Sequence, residues 1–495
     1  MTPTPPPAAD PPAALRRGMY LLLAAVAVGN ISGRLGAVNS VDMIRLERHL
    51  NEEARKQAGP EDEPRLRSLQ RPFLSGNDRS RWCTVRALVE HGTYAIDEIV
   101  VQPGWDTIDM VKHDGRGRPA PGPDEGHLYS SKPPLLATIM AGGYWAVRRL
   151  TGKTLGSHPH ELGRILLFCW NVLPFVAYLA ILARIVERYG RTDFGRAFVF
   201  TAAALGTLLS AYAVAFTNHW PAAFAAMVAL DALLRIACDG ERRRRWFFVA
   251  GLALAFVAAC ELPGLALLGL AGLLLLRLAP RQTLVASLPA ALLVAAAACG
   301  TNYAAHGTIR PAYTERHVTG GWYDYQFRRG GRVIDSYWKP TIPKSPIDRG
   351  EPSPAAYAFH VLVGHHGIFS LTPVWLLSLG GLMLLIGRRD APAAARGLAV
   401  VILACTVACL AFYVMRPLED RNYGGTATGF RWALWFAPLW LYAMLPAADV
   451  LAATRPRRLL AAVLLAVSVA SASYPTWNPW TLPWLQVFWT YCTGG

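Results

Sequence analysis

A chain of 495 residues with 53% hydrophobic side chains, 17% charged ones and a formal net charge of +16 excludes two broad classes. Charge-free runs such as 251–259, 264–276 and 459–470 leave no polar face for water, which rules out a string of soluble domains. The basic excess stands in short clusters beside those runs, the positive-inside pattern of a membrane protein and not the stripe that grips nucleic acid.

Residues 1–17 open the chain as a Pro/Ala-rich stretch expected to be disordered in the cytoplasm. Gly18–Ala37 follows Arg16 and Arg17 and lacks a small-residue cleavage site, so it reads as a retained first helix. A long polar segment, 38–133, comes next with nearly balanced charge. Within it, Val41–Lys56 intersperses Met43, Ile44, Leu46 and Leu50 with charges, the pattern of a surface-lying amphipathic helix. Spans follow at about 165–184, 197–216, 220–237, 246–259, 264–277, 283–300, 367–386, 397–414, 431–449 and 459–473. The apolar run 133–147 is read as re-entrant or juxtamembrane, because a full span there would put Arg184–Arg196 on the wrong side.

Arginine clusters at 184–196, 242–245, 277–281, 388–389 and 455–458 then all fall in the cytoplasm, as does the N-terminus. The reading is an all-α polytopic membrane protein of about eleven transmembrane helices, carrying outer-face loops and juxtamembrane helices. Loops 38–133, 301–366 and 415–430 share the outer face. The tail 474–495, with Trp477, Trp480, Trp484 and Trp489, fits an interfacial aromatic belt. Eight cysteines are scattered without metal-ligand spacing, and His360, His365 and His366 lack a paired acid or cysteine that would make them a zinc site.

Within the first loop, Asn77 to Trp82 opens a short helix on which Trp82, Val85 and Val89 repeat, with Arg79, Arg86 and Glu90 on the other side and Gly92 able to end it. Asp78 stands at its N-terminus, where backbone amides keep a carboxylate ionised. It is either a helix cap or a base for an incoming hydroxyl. Glu261 interrupts two apolar runs, where an ionisable group is functional or paired. His219 stands at a predicted interface, as a structural group or a hydrogen-bonding one.

The order Asp78, Arg81-Trp82, Gly92-Thr93-Tyr94, then Gly126 through Tyr129 to Lys132-Pro133-Pro134-Leu135, resembles the first outer loop of the GT-C glycosyltransferases. The likeness is greatest to the aminoarabinose transferases of lipid A and the protein O-mannosyltransferases. Similar stretches continue at Arg164–Arg188, Ala215–Pro221, Glu261–Gly264 and Asn422–Arg431. The resemblance implies a GT-C-like transmembrane module over 18–300, a second large outer loop at 301–366 and C-terminal helices over 367–473. It further implies inverting transfer of a sugar from a polyprenyl-phosphate carrier to a lipid, glycan or protein acceptor on the outer face of the cell membrane. Asp78 would be the base. Lys132, Arg421 and Arg431 would hold the donor phosphate, which gains charge as it leaves. Arg81, Trp82, Tyr129, Asn218, His219 and Glu261 are substrate-binding candidates.

Where relatives carry further acids, this chain has Arg79, Ser131 and Asn218-His219, so neither a metal ion nor another cofactor is expected. Two other functions stay open: a transporter or flippase, and a GT-C scaffold that binds a glycolipid without turning it over. The absence of an internal repeat and the gathering of polar groups at one surface weigh for the enzyme.

Overall fold

The computed structural model describes residues 11–37, 41–59, 73–388, 392–475 and 478–493. By length and composition, eight helices among the described residues can cross a membrane: Ala13–Ala37, Pro159–Tyr189, Asp193–Tyr212, His219–Ala237, Pro280–His306, Ala393–Val414, Arg431–Leu451 and Arg455–Ser473. Gly264–Leu278 and Pro373–Gly387 are apolar but shorter. Arg244–Cys260 has 17 residues and starts on two arginines. The chain is therefore a multi-pass helical protein, with eight of the expected eleven spans at bilayer length.

Packing follows side-chain size. His219–Ala237 and Arg431–Leu451 are 83% and 78% buried and form the centre, whereas Ala13–Ala37 and Arg455–Ser473, 22% each, form the rim. A helix apolar on every side needs neighbours all round, and the central two have them. Two helix–helix contacts bring backbones close enough to need glycine. A Cβ on Gly251 would overlap the Ser287 backbone, and one on Gly381 would overlap the carbonyl of Ala443.

The first helix starts at Pro11, ahead of the expected Gly18. The reason is local and tertiary together. Proline suits a first turn, Ala-Ala-Leu-Arg propagates it, and Arg16 is held by Glu187 at 3.0 Å and by Asp193 at 2.5 Å. A helix does run over Val41–Gln57, although the side chains of Met43, Ile44 and Leu46 lie outside the described residues, as does Trp477.

Residues 134–151 form the helix Pro134–Thr151, which is not among the eight spanning candidates. It packs against the helix Gly76–Glu90, with Tyr144 donating to Glu90 at 2.6 Å and Arg148 to the Val89 carbonyl at 2.7 Å. Helix Gly76–Glu90 differs from its amphipathic expectation: Arg79, Arg81 and Arg86 are all buried. Each is paid for by partners. Arg79 donates to the carbonyls of Asp106 and Phe73, and Arg86 pairs with Glu90 at 2.9 Å under Trp105.

Two small hairpins complete the loop region. Strands β1 (Met110–His113) and β2 (His127–Ser130) pair antiparallel, with Met110 opposite Ser130. Strands β3 (Gln326–Arg329) and β4 (Arg332–Asp335) form the second hairpin. Gly126 enters β2 at φ +58°, and a Cβ there would lie 2.7 Å from the His113 carbonyl, which explains why that motif position is glycine. The first and second loops are fastened together. The buried Lys112 ammonium donates to the carbonyls of Gly122 (2.6 Å), Pro123 (3.2 Å) and Gln326 (2.9 Å), and its amide donates to Trp322.

Candidate active site

The hairpin register builds the site's centre. Asp109 stands just before β1, so the Ser131 amide donates to its carbonyl at 3.0 Å and its carboxylate meets the Lys132 ammonium at 2.9 Å. Ser80 on helix Gly76–Glu90 donates to the same Asp109 carbonyl at 2.6 Å, tying hairpin to helix. The pair faces a cavity of about 260 Å³.

One wall is made where helices begin and end. The reversal Glu261-Leu262-Pro263 joins Arg244–Cys260 to Gly264–Leu278, and its Glu261 carboxylate is buried. Asn218, just ahead of helix His219–Ala237, donates to Glu261 at 2.8 Å, and His219 Nδ1 lies against the same oxygen. Arg81 donates to the Asn218 side chain at 2.7 Å, and Arg431 Nη1 lies 2.9 Å from His219 Nε2. A guanidinium can only donate, so His219 Nε2 must accept and the proton sits on Nδ1, directed at Glu261. The imidazole is thus neutral. Glu261 thus stands behind both arginines, acting through Asn218 on one side and His219 on the other.

The opposite wall comes from loops. Arg416 and Arg316 share Asp420, at 3.0 and 3.8 Å, with His317 at 3.4 Å. Burial would raise the Asp420 carboxyl, but His317, Arg416 and Arg316 bring it down to about 2. Both guanidinium groups lie on indoles: Arg316 over Trp338 at 4.0 Å and Arg416 over Trp432 at 4.7 Å. Between the walls, Asp109 responds to Lys132, Arg316 and Arg81. Burial pushes it up, and these three cations more than offset that, leaving it below its ordinary value. Burial lowers Lys132 to about 8 against the pull of Asp109, and lowers Arg81 to about 10.

A second, apolar groove of about 300 Å³ runs into this cavity, sharing Pro133, Leu135, Ala259, Cys260, Leu262 and Tyr313 with it. Its cause is side-chain size. Ala255 and Ala258 on one helix face Ala291, Ala295 and Ala298 on another, beyond the point where Gly251 meets Ser287.

Six of the predicted site residues therefore meet: Arg81, Lys132, Asn218, His219, Glu261 and Arg431. The other four lie elsewhere. Asp78 is buried away from the cavity, accepting from the amides of Phe216 (3.0 Å) and Leu74 (3.3 Å), with Ser75 as the helix cap. Burial raises its carboxyl to about 6, against those amides and Arg81. Trp82 is fully buried and stacks on Phe73 at 4.6 Å. Tyr129 stacks on His113 at 4.0 Å in a small aromatic cluster under the hairpin. Arg421 is buried outside the cavity lining. Trp480, expected in the interfacial belt, packs instead on Tyr212 and under Arg431.

Asp109, Arg316, Arg416 and Asp420 escaped the sequence reading. The run Arg416–Arg421 directly after a span was a visible signal, since charges at a helix end facing a loop this short have few places to go. Asp109 gave none. His360, His365 and His366 do cluster, around Tyr423. Among the described residues, no three His, Cys, Asp or Glu side chains are placed to hold a metal ion.

No family model matches this chain, and no curated protein matches it. Among solved structures, the chain is similar to crystal structures of an Archaeoglobus fulgidus oligosaccharyltransferase. The apo form aligns over 92% of this chain and 55% of that one, at 14% identity and a TM-score of 0.42. The complex with Zn and sulfate aligns over 93% and 53%, at 13% identity and 0.45. The chain spans about half the length of that enzyme.

Proposed function

We propose that this membrane protein is a glycosyltransferase that moves a sugar from a polyprenyl-phosphate carrier to an acceptor hydroxyl, with inversion. The supporting observation is the junction of a cationic cavity with an alanine-lined groove between apolar helices. A lipid-linked phosphate is amphipathic in that same sense: its chain needs an apolar channel and its headgroup needs charge at the channel's end. By the arginine pattern the cavity opens on the outer face of the cell membrane, with the N-terminus in the cytoplasm.

In this reading Arg81, Lys132 and Arg431 hold the phosphate, and Asp109 replaces Asp78 as the base. The acceptor oxygen attacks the anomeric carbon as the C–O bond to the phosphate breaks. The phosphate leaves with the electron pair, stabilised by the cations, and the hydroxyl proton passes to the Asp109 carboxylate. Asn218, His219 and Glu261 keep the two arginines aimed. No metal ion is required, because five cationic side chains already line the cavity.

The test is turnover. Purified protein given a polyprenyl-phosphate sugar and membrane extract should release free polyprenyl phosphate and consume the donor. Donor binding without release identifies a glycolipid-binding scaffold. Movement of intact donor across a vesicle bilayer identifies a flippase.

A further inference from the structure

The cavity is more positive than a prenyl-phosphate donor requires. Its lining contains five fixed cations (Arg81, Lys132, Arg316, Arg416, Arg431) and three carboxylates (Asp109, Glu261, Asp420). His219 is neutral, since its Nε2 accepts from Arg431. The excess is two positive charges. A sugar esterified to a prenyl monophosphate is a phosphodiester and brings one negative charge. One positive charge is left unmatched.

The excess is also divided in space. Arg81 and Arg431 stand on the helix-end wall with Glu261 behind them. Arg316 and Arg416 stand on the loop wall with only Asp420 between them. The Lys132–Asp109 pair is neutral and lies between the walls, within electrostatic reach of Arg81 and Arg316 alike. Counted on the lining side chains alone, each wall carries one positive charge in excess; behind the helix-end wall the buried Asp78 also offsets Arg81, whereas the two loop-wall arginines share Asp420. The loop-wall arginines are also preorganised, each flat on a tryptophan, so a bound anion would find them already oriented. The groove meets the cavity chiefly on the side of Pro133, Leu135 and Leu262, with Tyr313 the one residue they share from the loop that carries Arg316.

We infer that the loop wall is an anion subsite for the acceptor, which carries a phosphate or carboxylate beside the hydroxyl it offers. This rests on the glycosyltransferase reading above and names the acceptor's chemical class. Arg316 and Arg416 fix that anion, Tyr323 and Trp338 line the same part of the cavity, and the acceptor hydroxyl reaches Asp109 from the side opposite the donor phosphate. An uncharged acceptor leaves a guanidinium in the closed site without its counter-ion, and is discriminated against.

Two probes test it by calorimetry on the full chain in non-ionic detergent: farnesyl phosphate for the donor side, and glucose 6-phosphate for the acceptor side. Glucose 6-phosphate should bind to protein already saturated with farnesyl phosphate. Its affinity should fall about tenfold or more in Arg316→Gln and in Arg416→Gln, and recover in Arg316→Lys, while farnesyl phosphate binding changes little. Displacement of one probe by the other, mole for mole, means a single anion site and overturns the inference. So does binding of glucose 6-phosphate no tighter than glucose. If farnesyl phosphate fails to bind but glucose 6-phosphate still depends on Arg316, the donor reading fails and the subsite stands. Repeating the measurement in nanodiscs with and without phosphatidylinositol separates the sources. Competition by that lipid assigns the anion to a membrane headgroup, and its absence assigns it to a water-borne sugar, both with the subsite intact.

Discussion

Substituting Asp78 by asparagine separates the two roles that an acid in this position can have. The carboxylate is buried, with one oxygen on the Phe216 amide and the other on the Leu74 amide. Its pKa is raised from 3.8 to about 6, chiefly by burial. A raised carboxyl pKa means that the folded state holds the proton more tightly than the unfolded one. This group therefore takes stability away as the pH rises from about 4 to above 6, by up to about 3 kcal/mol in all. Asparagine carries no charge, so this dependence disappears. Its amide oxygen keeps the Phe216 contact, while its NH₂ faces the Leu74 amide, donor to donor, at a cost of about 1–3 kcal/mol. The two effects nearly cancel near neutral pH. Between about pH 7.5 and pH 4.5 the wild type should gain about 2 kcal/mol on Asp78→Asn. Thermal unfolding of both proteins side by side measures this, because every other titrating group cancels in the difference. Transfer activity should persist in Asp78→Asn and fall about 10²–10⁴-fold in Asp109→Asn, the usual worth of a general base. An Asp78→Asn protein with the wild-type pH profile of stability but no transfer would refute this reasoning and restore the motif acid as base.

Lys132→Ala and Arg431→Ala should each weaken prenyl-phosphate binding about ten- to a hundredfold without unfolding the protein, measured with farnesyl phosphate. Glu261→Leu leaves the His219 Nδ1 donor unpaired in a buried place and Asn218 with the Cys260 carbonyl alone, so it should lower the melting temperature as well as donor affinity, whereas Glu261→Gln, still an acceptor, should spare the melting temperature. Gly381→Ala should prevent accumulation of folded protein because it forces apart Pro373–Gly387 and Arg431–Leu451, while Gly272→Ala, with open space around it, should be silent. Cysteine labelling of intact cells should modify position 333, which is exposed in the second outer loop, and leave position 243 untouched; the reverse pattern would invert the topology.

Hydrophobic run length and the glycine-proline breaks carried most of the helix layout, because a helix in lipid has to satisfy its own backbone and its sequence shows it. The site was legible where local sequence was decisive. Lys132 sits at a proline-marked helix start, Glu261 in a break between apolar runs, and Arg431 at the mouth of a span. It was illegible where long-range pairing decides. Asp78 and Asp109 are both acids in one loop, and only the hairpin register, with Met110 opposite Ser130, turns Asp109 toward Lys132. Helix Gly76–Glu90 misled for a related reason. Arg79 and Arg86 stand opposite its apolar repeat in the sequence, and loop residues such as Asp106 and Gln102, with Glu90 on the helix itself, bury them.

Lys112 holds Gly122 and Pro123 of one loop and Gln326 of the other through a single ammonium. The hairpin beside Asp109 and the loop bearing Arg316 and Trp338 are thereby fastened to each other as one lid. Such a lid offers no doorway for a chain many carbons long to enter from water. If the donor is the prenyl phosphate proposed above, its traffic is left to the lateral gap lined by Ala255, Ala258 and Ala295 between apolar helices. Loading and unloading then become two-dimensional events, governed by the mole fraction of carrier in the bilayer and insensitive to the volume of solution around it.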